Sequence, residues 1–507
     1  MKRITALFLC LMLCFSLSGC WQDTPEPEDL YSPIDGLEAE ETPDTLLPQN
    51  FSLAYVPGQS MDPIDCPDGV QYVISSLLFE GLFQLDETFT PQALLCRDWT
   101  YDAETMTYTL VLRRDVNFSD GSPLTAADVA ATLKRAKASP RYQSRLKNVT
   151  SITTERDDAV VLTLSAPNVS FLSLLDIPIV KAGSEKDIPI GTGPYLLDFS
   201  EEVPRLVASQ NWWQNQPLPV DHIQLVETAD ENSLLYRFTS HDIQLVTSDL
   251  TGTSPISATD DIVFLDAPTT QFHYLGFNMT TPALSSLPLR RALALGVQRS
   301  ALVSAFLSDH ATAAQFPVPP QSPLYPAALE TRYSLTDFHA ALADCTDLPE
   351  RPLVLLVNEE NAFKVSVANH LAQAFTDGGI AVEVSALPWT DYLTALQTGN
   401  FDLYYAEVKL TADWDLSSLL SSGGSLNYGG WSNAHTDTLL SRYAASDYPT
   451  DAMNDLCVHL QQAVPIVPLC FKSTSVLMQS GIIEGLQPTM AEPFYHLSDC
   501  TFHLQTP

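Results

Sequence analysis

Residues 353–408 read LVLLVNEENAFKVSVANHLAQAFTDGGIAVEVSALPWTDYLTALQTGNFDLYYAEV, and this stretch decides the fold class. Residues 353–357 form a short continuous apolar run, as a strand covered on both faces requires. Val367, Ala368, Leu371 and Phe375 then recur at helical spacing. Gly378-Gly379 stop that helix, because glycine takes the left-handed conformation at a helix end without strain. Residues 380–384 read as a second strand, 389–397 as a second helix closed by Gly399, and 401–405 as a third strand. The β-α-β-α-β order predicts an α/β fold with a parallel sheet and right-handed crossovers. Ligands of such sheets bind beyond the carboxyl ends of the strands, so the following loop, about 406–431, is the first place to seek a site.

The N-terminal part has a different grammar. Residues 101–114 predict a β-hairpin, because 106–112 alternate in period two. Asp120-Gly121 makes a turn. Thr125 and Asp128 have the spacing of a capping box, and Val129, Leu133 and Ala136 give the buried face of the helix that follows.

Composition narrows the function. The 507 residues carry 25 Lys+Arg against 61 Asp+Glu, a net charge of −36, and 45% of them are apolar. Large buried cores are therefore expected over several domains. The acidic balance argues against a nucleic-acid binder, which needs cations for phosphate, and against basic adhesion to anionic lipid. High negative charge reads first as solubility.

Residues 1–20 read as an address. Met1-Lys2-Arg3 is basic, and 4–17 is an apolar run too short to remain as a bilayer span. It ends in Leu17-Ser18-Gly19-Cys20, which resembles the bacterial lipobox, whose cysteine is diacylated; an ordinary secretory signal with a chance cysteine is the other reading. Two acyl chains hold a protein on a membrane stably. Residues 21–50 hold nine acids, five prolines and no Lys or Arg, the composition of an extended tether. Cys66, Cys96, Cys345, Cys457, Cys470 and Cys500 remain, without CxxC or His-pair spacing, so no metal site is expected. They read mostly as small buried hydrophobes, with one or two bridges left open. The sequons at Asn148, Asn168 and Asn278 read as chance.

Several segments resemble the extracellular solute-binding proteins of family 5, the peptide and nickel class that serves ABC importers. Phe79-Glu80-Gly81-Leu82 is similar to "YEGL", and Pro91 through Trp99 to "P-x-LAxxW". Residues 108–129 are similar to "YTFxLRxxVxFxDGxPLTAxDV", and 191–195 match "GTGPY". Phe277-Asn278 with 289–293, and 463–469, match later motifs of the family. Most of these residues read as structural. A departure is Gly296-Val297-Gln298-Arg299 where the family often has "AIDR"; the missing Asp is expected to change a helix cap.

The resemblance implies a two-lobe fold of the periplasmic-binding-protein type II class, with an extra subdomain in the first lobe and a hinge of two crossing strands. The expected divisions are a signal peptide at 1–20, a tether at 21–50, lobe I at 51–274 with its subdomain near 70–180, lobe II at 275–473, and a return to lobe I at 474–507. Closure on a ligand would be a population shift. The implied function is a lipid-anchored, monomeric binding component that passes an oligopeptide or similar solute to ABC permease subunits, needs no cofactor and makes no bond. A metal chelate or a signalling peptide on the same fold is the alternative. An exported hydrolase is a further one, although no GxSxG, HExxH or SxxK arrangement is visible.

The resemblance also implies a ligand site. Peptide-binding members place an Asp of an "AD" segment against the peptide ammonium, and Ala412-Asp413 stands there, followed by Trp414-Asp415. Asp413 or Asp415 reads equally as a cap for a helix at 416–420. Trp414, Tyr428 and Trp431 near this loop, and Phe272 and Tyr274 near the crossing strands, are the aromatic candidates.

Overall fold

The computed structural model describes residues 47–505 apart from 68, 186–187, 202 and 257–260. The expected signal peptide, the lipidation at Cys20 and the tether as far as residue 46 lie outside the described residues. Residues 47–50 pack on the body instead of extending the tether. Leu47 lies against a buried apolar cluster, and Pro48 accepts a backbone hydrogen bond from Gln505.

The β-α-β-α-β segment forms as read. Leu353–Asn358 pairs in parallel with Val382–Leu387 on one side and Leu403–Lys409 on the other. The helices Ala362–Asp377 and Trp389–Thr398 make the crossovers. The middle strand begins two residues later than its apolar run suggested. Gly379 takes the left-handed conformation (φ 106°), and Ile380 N then bonds back to Phe375 O, which spends Ile380 on closing the helix.

These three strands join a sheet of eleven among the described residues. Its centre is two long antiparallel strands, Ile262–Phe277 and Ile466–Gln479. Their halves serve different lobes. Residues 475–478 pair with Leu245–Ser248, which leads to Ser52–Tyr55, His222–Glu227 and the hairpin of Arg205–Ala208 and Tyr195–Asp198. Residues 271–277 pair with Leu403–Lys409. The register between the long strands shifts between Pro268 and Phe272. An irregularity of this kind bends and twists strands, and here it falls at the change of lobe.

Separate cores accompany the two halves. Phe51, Leu53, Ile74, Leu225 and Phe494 belong to the N-terminal one. Leu275, Leu293, Leu355, Leu371 and Leu403 belong to a C-terminal one. A four-stranded antiparallel sheet, in the order Cys96–Asp102, Thr107–Leu112, Ala159–Leu164, Val149–Arg156, builds the additional subdomain. Helix Ala126–Ala138 packs on it through Val129, Leu133 and Ala136. Both bonds of the Thr125–Asp128 capping box are made. Gln298 does stand at a helix N-cap without a side-chain bond, as the missing Asp implied.

The motif glycines are steric requirements. A Cβ on Gly191 or Gly193 would collide with the Leu78 backbone. Asn278 shapes a turn: Thr280 donates twice to its Oδ1, and its Nδ2 donates to the carbonyls of Gly399 and Phe401. No disulfide joins the six described cysteines, five of which are buried.

Candidate functional site

A cavity of about 510 Å³ lies over the register shift. Its floor is Thr269, Thr270 and Gln271 of the first long strand with Thr474 and Val476 of the second. One wall belongs to the N-terminal half: Tyr72 and Val73 of helix Val70–Leu78, residues 140–142, 144 and 145, and Thr489, Met490, Ala491 and Pro493. The other is 409–412, at the carboxyl end of strand Leu403–Lys409. That is where a parallel sheet is expected to place its ligand. A second cavity of about 240 Å³, walled by Arg291, Arg299, Phe316 and Val467, is bordered by the C-terminal lobe alone. It cannot report on the relation of two lobes.

Local sequence explains the N-terminal wall. Pro140 cannot continue helix Ala126–Ala138, and the chain turns. Backbone bonds from Tyr142 to Ser139 and from Arg145 to Tyr142 hold the turn. The Arg141 guanidinium lies 4.8 Å over the Tyr72 ring, and that of Arg145 lies 5.3 Å over Tyr142. Arg145 also forms an ion pair with Asp176, whose side chain is 3% exposed. Burial pushes the Tyr72 hydroxyl up to about 12, so it remains a proton donor.

Next to the floor lies a partly buried charged network. His273 Nδ1 and the Tyr405 hydroxyl are 2.6 Å apart, and His273 Nε2 is 2.9 Å from Glu407. Glu407 also meets Lys364 at 3.1 Å. Lys472, from the second long strand, reaches Asp249 at 2.5 Å. Burial raises the Glu407 carboxyl, but His273, Lys364 and Lys472 outweigh it and hold the group well below its ordinary value.

None of the six side chains expected to hold ligand lines the cavity, although Thr411 and Ala412, next to Asp413, do. Asp413 is 5% exposed. Its Oδ2 accepts from Asn168 Nδ2 at 2.8 Å and its Oδ1 from the Thr411 hydroxyl at 2.5 Å. Burial raises its pKa and these bonds offset that in part. Asp415 precedes Leu416, the N-cap of the short helix Ser417–Leu420; it accepts from Ser417 N at 3.0 Å and pairs with Lys147 at 2.8 Å. Trp414 is buried, with Phe89 and Phe471 against it at 5.3 and 6.2 Å. Phe272 and Tyr274 are buried and stack on each other at 5.5 Å. Tyr428 packs edge-on to Tyr404, and Trp431 lies under the Arg290 guanidinium. Strand pleat explains the inward aromatics: both faces of the sheet are covered, so aromatics on the long strands fill core.

The structure instead brings Arg141, Arg145, Lys409 and Tyr72 to the cavity. A signal for the arginines was present. Residues 134–147 hold six of the chain's 25 Lys and Arg, with no acid between Asp128 and Glu155.

A model of the bacterial extracellular solute-binding proteins, family 5 Middle, matches residues 90–429. The chain belongs to this family. Among curated proteins it resembles the glutathione-binding protein GsiB of Salmonella choleraesuis (strain SC-B67), with 26% identity over 277 residues, 52% of this chain and 54% of the relative. GsiB of Escherichia coli (strain K12) matches at the same identity and extent. The chain thus spans about half the length of the curated relatives it matches. Among solved structures, the substrate-binding protein CtaP of Listeria monocytogenes superposes with a TM-score of 0.72 at 18% identity, over 90% of this chain and 99% of that one. The murein tripeptide-binding protein MppA in its unliganded open form gives 0.75 at 17% identity, over 90% and 98%. These likenesses establish the two-lobe type II fold.

Proposed function

We propose that this protein is the substrate-binding component of an ABC importer, which takes a short peptide or a similar small solute into the cavity and hands it to permease subunits. The observation that carries the reading is a cavity whose walls come from different lobes, over the register shift between Pro268 and Phe272 of the two long strands. A ligand there touches both walls only when they are near, so binding favours the closed arrangement. The volume suits a small solute, and the curated relatives are named for glutathione, a tripeptide. Lobe I then ends near 268–272 and resumes near 474. The protein makes and breaks no bond, works as a monomer, and is anchored outside the cytoplasm by lipid on Cys20.

Native mass spectrometry of the protein purified from its host tests this reading. A co-purified mass, or a ladder of peptide masses, is expected. Failing that, glutathione or a pool of short peptides should raise the melting temperature by mass action. No shift with either, from a protein that unfolds cooperatively, overturns the proposal. Cys20→Ala should release the protein into the medium, and retention on the membrane would refute the anchor.

A further inference from the structure

We infer that the second cavity, in the C-terminal lobe, is a binding site for a small apolar molecule bearing one carboxylate, which the Arg299 guanidinium receives. This site is separate from the solute cleft and does not depend on it. The cavity has an apolar base and a polar mouth. Phe316, Leu460 and Val467 are buried and line the base, whereas Arg291, Thr331 and Gln461 are exposed. Its volume of about 240 Å³ lies just under the roughly 300 Å³ at which ligand pockets begin, so it suits a single ring or a short chain and not a peptide.

The neutral polar side chains of the lining are engaged with the protein. Gln315 Oε1 accepts from the backbone N and the hydroxyl of Thr331, and its Nε2 donates to Thr331 O. Gln461 Nε2 donates to Leu329 O. Arg299 differs. Its Nε donates to the Pro468 carbonyl at 2.7 Å, which fixes the guanidinium plane, and its Nη1 lies 3.5 Å from the Val297 carbonyl. Its Nη2 has no protein partner and Arg299 forms no ion pair among the described residues. The lining contains no Asp or Glu. Glu330 acts on Arg299 only at a distance; it is exposed, lies outside the lining and accepts from the Tyr325 hydroxyl. Burial brings the Arg299 pKa down to about 10, so the group stays charged at neutral pH while its desolvation is not offset by a counter-charge. Arg291 at the mouth donates to the Gln462 carbonyl through Nε and Nη2 and adds a second cation without an acid beside it. A carboxylate on Arg299 supplies the missing counter-charge through charge-assisted bonds, and the body that carries it covers the apolar base. Apolar walls around one fixed guanidinium do not offset desolvation of a dianion, which favours a carboxylate over a phosphate.

The test uses the protein as its host produces it, held in lipid nanodiscs so that no detergent competes for the apolar walls, with empty nanodiscs as the blank. Titration calorimetry compares 3-phenylpropionate with its amide and with 3-phenylpropylamine, which share the ring and differ in charge. The acid should bind at least about tenfold more tightly than the amide, as a charge-assisted pair requires, and the amine should give no heat. Arg299→Gln should bring the acid down to the affinity of the amide. Ala294→Leu fills part of the cavity and leaves Arg299 in place, so it should weaken the acid and the amide alike by several-fold. This second variant tests the site even if Arg299→Gln folds poorly for want of its bond to Pro468. Equal binding of acid and amide overturns the role of Arg299. Binding of the acid that Ala294→Leu leaves unchanged places it elsewhere and overturns the site. Heat from none of the three, in a protein that unfolds cooperatively, overturns the inference and leaves the solute cleft untouched.

Discussion

Asn168 Nδ2 donates to Asp413 Oδ2 across 2.8 Å, and this bond ties the additional subdomain to the loop after the third parallel strand of the C-terminal lobe. Neighbouring contacts reinforce it. Val169 N bonds to Ala444 O at 3.0 Å, Lys147 reaches Asp415, and Phe89 lies edge-on to Trp414. The loop expected to hold ligand thus spends Asp413, Trp414 and Asp415 on contact between the lobes.

Replacing Asn168 should expose the cost of burying that carboxylate. The folded pKa of Asp413 is raised by burial, so its ionisation opposes folding. Stability from this group is highest below the unfolded value near pH 4 and falls as pH rises through the folded value. Asn168→Ala removes a donor to the ionised form and should steepen that fall. We expect a loss of about 1–3 kcal/mol at pH 7 and a smaller one at pH 4, read from urea midpoints. An equal loss at both pH values would show that the bond does not serve the charge.

Two ion pairs, Lys147–Asp415 and Arg145–Asp176, should differ widely in worth. Lys147 is 49% exposed, and a pair so placed contributes about 0–1 kcal/mol. Asp176 is 3% exposed, and losing its partner leaves a charge without water. Arg145→Leu should cost about 3–5 kcal/mol, and Lys147→Ala under about 1 kcal/mol. Comparable losses in denaturation curves would mean that Asp176 is reached by solvent.

Acid should weaken the floor of the cleft through Glu407. Its folded pKa is depressed, so its contribution is present above the unfolded value near 4.3 and is lost as pH falls below it. Glu407→Gln should cost about 3 kcal/mol at pH 7, and the variant and the parent should converge toward pH 3. A difference independent of pH would assign the loss to packing.

Trp414 separates a core role from a ligand role. It is 2% exposed among Phe89, Phe471 and neighbouring aliphatics. Trp414→Ala should cost about 3–5 kcal/mol in stability. Trp414→Phe keeps most of the buried area and should leave solute affinity, measured by calorimetry, unchanged. A large fall in affinity with stability intact would return Trp414 to the binding site.

Sequence alone determined whatever depends on spacing along the chain. The parallel unit at 353–409 was legible because apolar runs, helical periodicity and glycine stops are local signals. The capping box at Thr125 was legible for the same reason, whereas the structural reading of most residues in the 191–195 motif and of Asn278 came with the family resemblance. Family motifs carried the two-lobe architecture. The cavity was not legible, because its walls come from residues near 72, 141, 271, 410, 474 and 490, which meet only when two lobes fold about a shared pair of strands. Nor could spacing reveal that Asp413 would face Asn168, 245 residues away. A carboxylate next to a cleft is available to a ligand or already occupied according to what the other lobe places against it, and only the tertiary structure decides which.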